Sequence, residues 1–93
     1  MTSNEVLSMY ENIAGLTGKM ALAAEAGDWH GLGQLETRCV IESAAAASGL
    51  PALEGSQRVR KVELLRQIMA NDRAIRNVTE PWMAQLQRAM STH

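Results

Sequence analysis

Two histidines, one cysteine and a set of scattered carboxylates are what this 93-residue chain offers to covalent or metal chemistry. His30 follows Asp28 by two positions, and side chains two apart on a helix point in different directions, so the pair makes no acid–base couple. His93 is the last residue, where chains ordinarily fray. Adding Cys39 gives no ligand spacing, because structural zinc sites take four ligands in short pairs. Gly31-Leu32-Gly33 has no preceding strand and no further glycine at the interval a nucleotide fingerprint needs. A protein that is no enzyme and holds no cofactor or metal is expected.

Charge excludes two further classes. Nine basic residues face ten acidic ones, too even a balance to draw nucleic acid or an anionic membrane non-specifically. Arg58, Arg60, Lys61, Arg66, Arg73, Arg76 and Arg88 read as spread around a helix and interrupted by Glu63 and Asp72, so direct nucleic-acid binding is not expected. The lone cysteine suits a reducing compartment. The N-terminus lacks a basic flank before an apolar run, unlike a Sec signal. No stretch approaches the roughly 18 apolar residues of a spanning helix. A soluble cytoplasmic protein without membrane insertion is the expectation.

Such a chain must act through surfaces, and helices must build them. Residues 56–90 repeat apolar side chains every three or four positions in two adjoining sets. One is Val62, Leu65, Met69, Thr79, Met83, Leu86 and Met90; the other is Leu64, Ile68, Ile75, Val78 and Trp82. Pro81 either kinks this helix or divides it, and the unbroken apolar phase from Val78 to Leu86 favours one kinked helix.

Two shorter helices precede it. The first is expected over 4–26, capped by Ser3 or Asn4, with Val6, Met9, Tyr10, Ile13, Leu16, Met20 and Ala23 inward. Gly15 and Gly18 weaken it but permit close approach of a neighbour. Gly27-Asp28 supplies a left-handed stop and a new cap, so the second helix, over 29–48, folds back antiparallel. Its inward residues read as Trp29, Leu32, Leu35, Cys39, Ser43 and Ala46 or Ala47, with Trp29 packed on the end of the first helix. Gly49-Leu50-Pro51 ends it, a partial turn over 52–54 follows, and Ser56 caps the third helix. The expectation is one all-α domain over 1–93, an antiparallel three-helix bundle or hairpin with a long third helix. Leu65 and Ile13 are expected in its core.

The run Glu63-Leu64-Leu65-Arg66-Gln67-Ile68-Met69-Ala70-Asn71-Asp72, then Ala74-Ile75-Arg76 and Pro81-Trp82-Met83-Ala84-Gln85-Leu86, resembles the long third helix of the FliT family. Gly27-Asp28-Trp29 followed by Leu32 and Glu36 is similar to that family's first helix junction. The resemblance implies a cytoplasmic flagellar export chaperone. Such a protein binds the C-terminal helical region of the filament-cap protein, keeps it unpolymerised and delivers it to the type III export apparatus. It implies contacts with the export ATPase and export gate, and in some members with the flagellar master transcription regulator. Many members add a C-terminal helix over the binding surface. With the sequence ending at His93, that helix is expected to be missing or very short, which puts autoinhibition and regulator binding in question.

The residues themselves select a surface for such a client. Two short helices cannot cover a third of about 52 Å at about 1.5 Å per residue. Ile68, Ile75, Val78, Trp82 and Leu86 make the expected strip for an amphipathic client helix, with Trp82 dominant. Asn71 and Asp72 interrupt it, where they would set a partner's register or face solvent. Two other readings use the same surface. One is a homodimeric structural or regulatory protein; the other is an anti-activator of a transcription complex that does not touch DNA.

Overall fold

The computed structural model describes residues 2–44, 46 and 49–91, with the side chains of 82–87 and 91 outside the description. Three helices make up the chain: α1 (Ser3–Ala26), α2 (Trp29–Ala44) and α3 (Gly55–Ser91). They form an all-α arrangement 56 Å long and about 22 Å across. Helix α1 lies in the middle. It packs against both α2 and α3, which make no contact with each other among the described residues.

Local chemistry accounts for the boundaries. Thr2, rather than Ser3 or Asn4, caps α1: its Oγ1 accepts the Glu5 N–H at 3.2 Å. At the other end Gly27 takes the left-handed conformation, φ 72°, and the Asp28 N–H bonds back to the Ala23 carbonyl at 2.8 Å. Asp28 then caps α2, its Oδ1 accepting the Gly31 N–H at 3.0 Å. A Cβ at position 31 would meet that carboxylate, so a larger residue there would make the Asp28 side chain shift.

Helix α2 is described over Trp29–Ala44, and positions 45, 47 and 48 of the expected span lie outside the described residues. The connection over 50–54 contains no turn, contrary to expectation, yet sends Leu53 into the interior at 6% exposure. Helix α3 begins at Gly55 with Ser56 inside its first turn, and the Arg58 N–H bonds to the Glu54 carbonyl at 3.4 Å. It runs unbroken through Pro81 as one helix.

Because α1 packs against two helices, its buried set spans a broad arc of about 160°: Val6, Met9, Ala14, Leu16, Thr17, Ala21 and Ala24. Helix α3 has one neighbour and one buried line, in which Leu64 is 2% exposed. Four sequence expectations change. Leu65, expected in the core, is 36% exposed, and Ile13 is half-buried. Trp29 is 49% exposed rather than packed away, since it sits at the outer start of α2, and Ser43 is exposed at the far end. Of the residues expected inward on α2, Leu32 is buried, Leu35 and Cys39 are half-buried, and Ala47 lies outside the described residues.

Candidate functional site

The register of α3 on α1 decides what α3 has left to offer. Gln57 Nε2 donates to Asn4 Oδ1 at 3.0 Å, near the start of both helices. Further along, Asn71 Nδ2 donates to Thr17 Oγ1 at 3.1 Å and to the Ala14 carbonyl at 3.3 Å, and the Thr17 hydroxyl donates to that same carbonyl at 3.0 Å. These pairs are separated by 53, 54 and 57 positions, so the two helices run in the same direction with a nearly constant offset. Ala26, the last residue of α1, is therefore level with a position close to Pro81. Helix α3 continues past that level for about ten residues, or about 15 Å at about 1.5 Å per residue.

Each residue of the expected strip has a distinct place. Ile68, Ile75 and Val78 are half-buried along the α1-facing side of α3. Asn71 is half-buried and bonded into α1, which gives it a fixed intramolecular partner. Asp72 is exposed and pairs with Arg76 at 3.0 Å one turn on. Helix α3 runs through Trp82 and Leu86, whose side chains lie outside the described residues.

Beside Ile68 and Ile75 lies a depression of about 450 Å³ on the α1–α3 seam, floored by Thr17 and Met20 and edged by Met69 and Arg73. Met20 also meets α2: the Cys39 thiol donates to its sulfur at 3.6 Å. Burial pushes the Cys39 thiol above its ordinary range, helped by Glu36 and Glu42 and opposed by Arg38. A second depression, of about 410 Å³, lies between α1 and α2 among Glu11, Asn12, Lys19, Arg38 and Glu42. Its charges alternate in sign on side chains that reach solvent, and Asn12 already bonds Glu42 at 3.4 Å. Among the described residues there is no group of three His, Cys, Asp or Glu able to hold a metal ion. No described helix is long and apolar enough to cross a membrane.

Among the described residues this arrangement presents helix faces and no convergent polar cluster, which suits it to holding another helix. The family model described as flagellar protein FliT matches residues 7–93. This chain belongs to the FliT family. The crystal structure of the flagellar protein FliT from Bordetella bronchiseptica superposes with a TM-score of 0.80 at 31% identity, covering 90% of this chain and 98% of that one. No curated protein matches the chain. As a FliT-family protein it is a flagellar export chaperone that binds the filament-cap protein, and it is not an enzyme. One contributor escaped the sequence reading: Leu53 shapes the core from an irregular connection, where helical periodicity carries no signal.

Proposed function

We propose that the C-terminal helical region of the filament-cap protein lies along α3 from Ile68 to Leu86, crossing the α1–α3 depression and continuing onto the unsupported end of the helix. The observation that carries this reading is the overhang. A helix of 37 residues paired with one of 24, and starting level with it, extends its last turns past the end of α1. Ile68, Ile75 and Val78 border the seam, and Trp82 and Leu86 follow at helical spacing on the overhanging part, so one client helix can span both. Asp72 stands at the edge of this path, and Asn71 sets the register beneath it.

Held this way, the client buries the apolar face through which it would otherwise polymerise, and it travels in the cytoplasm as a monomer to the export ATPase and export gate. The test is Trp82→Ala. Affinity for a C-terminal fragment of the cap protein falls at least about tenfold, or about 1.4 kcal/mol, while the urea midpoint of the free protein holds. Unchanged affinity would remove Trp82 from the site.

A further inference from the structure

A second flank of α3 is left open by the fold, turned away from the line that carries Leu64. At about 100° per residue, Arg58, Val62, Leu65, Arg66, Met69, Arg73 and Arg76 fall within an arc of about 100°. The three apolar members are 38%, 36% and 63% exposed in chain order. The four arginines are all exposed. Arg76 pairs with Asp72, whereas Arg58, Arg66 and Arg73 have no acidic partner among the described residues. Four of the seven basic residues of α3 thus share one face, which the reading of the sequence as an even scatter misses.

Charge is also partitioned along the chain. Helix α3 carries seven basic and three acidic residues, a net of +4, and residues 1–54 carry two basic and seven acidic, a net of −5. Glu80 is the next carboxylate on the same flank and lies one turn beyond Arg76. From Arg58 to Arg76, over about 27 Å, the flank sets Val62 and Met69 between Arg58 and Arg76 on one side and Arg66 and Arg73 on the other, with Leu65 at its outer edge. No other element of the chain covers it, since α3 packs on α1 alone among the described residues.

We propose that this flank is a separate docking surface for an acidic amphipathic helix of another protein, one with an apolar line between two rows of carboxylates. The apolar line covers Val62, Leu65 and Met69, and the carboxylates pair with Arg58, Arg66, Arg73 and Arg76. Glutamate and aspartate are the complement because arginine holds a carboxylate through two parallel hydrogen bonds. The surface adjoins the α1–α3 depression through Met69, Arg73 and Arg76, and the rest of it faces a different side of α3 from Ile68, Ile75 and Val78.

Three synthetic helical peptides of about 18 residues test it by calorimetry on the whole protein. One has leucines flanked by glutamates, one the same leucines flanked by lysines, and one the glutamates with serines replacing the leucines. The first is expected to bind at least about tenfold tighter than either of the others, and to weaken as salt rises from about 50 to about 500 mM. Arg66→Glu with Arg73→Glu is expected to abolish the preference, Leu65→Ser to weaken binding about tenfold, and Trp82→Ala to leave it unchanged. Melting curves of the Leu65, Arg66 and Arg73 variants, all at exposed positions, and of Trp82→Ala check that the fold persists. Equal binding of the three peptides, absence of binding, indifference to the arginine variants, or displacement of the first peptide by a short DNA duplex would each overturn the proposal.

Discussion

Asn71 on α3 and Thr17 on α1 meet side chain to side chain at 3.1 Å, across 54 positions of sequence, part-buried in the α1–α3 seam. The Asn71 amide gives one proton to the Thr17 hydroxyl and the other to the Ala14 carbonyl, while the hydroxyl passes its own proton to that carbonyl. A slip of α3 by a single residue would break every one of these bonds. Together with Gln57–Asn4 and Arg60–Glu11, these bonds hold one register of α3 on α1 and so set the length of the overhang.

Asn71→Ala should lower stability by about 1 kcal/mol, the net worth of a half-buried hydrogen bond pair. Thr17→Val with Asn71→Ala should cost less than the two single changes summed, because they share one network. Urea denaturation of the four proteins in this cycle checks both statements, and strict additivity would mean that the two side chains act independently.

Leu64→Ala should cost about 2 to 4 kcal/mol, since a leucine 2% exposed leaves a cavity when truncated. Its neighbour provides the control. Leu65→Ala should cost less than about 1 kcal/mol because the side chain already meets water. Similar urea midpoints for the two variants would mean that α3 is rotated about its axis from the orientation described.

Two glycines in α1 and its cap should respond in opposite directions. At Gly15 an added Cβ meets open space, so Gly15→Ala should stabilise the protein by up to about 1 kcal/mol. Gly27 holds φ 72°, where a side chain is strained, and Gly27→Ala should destabilise it by about 1 kcal/mol. Thermal melts of both variants decide the matter.

Cys39 should alkylate more slowly in the folded protein than after unfolding in urea, because burial favours the neutral thiol. The sign for stability follows from the same shift. The folded thiol keeps its proton at a pH where the unfolded one has lost it, so this contribution is intact below the ordinary thiol pKa of 9.0 and declines as pH rises past it. Comparing urea midpoints of the wild-type protein and Cys39→Ser between about pH 7 and pH 10 isolates that decline. A parallel loss in the two proteins would assign it to other groups.

How much could be read from sequence divides along a physical line. The α1–α2 break was legible because its causes are local: Gly27 supplies the positive φ and Asp28 the cap. The continuity of α3 through Pro81 was legible in the apolar phase on either side of it. Which of two adjoining apolar lines on α3 turns inward was not, since Leu64 and Leu65 are the same residue type and the choice belongs to the neighbour. A helix with one neighbour buries one line, and the length of α3 alone does not reveal that α2 stays away from it. Trp29 misleads for a related reason: its size argues for burial, but it stands at the start of α2, where α1 has ended. For the site, the strip's half-buried members were found by periodicity, whereas Asn71's bond to Thr17 depends on a pairing 54 positions away that no local pattern encodes.

Helix α2 is fastened to the rest of the molecule only through α1 among the described residues. Opening of α2 is therefore expected to cost its contacts with α1 while the Asn71 bonds between α1 and α3 stay made. Its amide protons should then exchange with deuterium sooner than those of the α1–α3 pair, and each opening would bare Leu32, Leu35 and Cys39 to the solvent. Such a graded architecture lets one edge of the protein loosen while the rod keeps its shape.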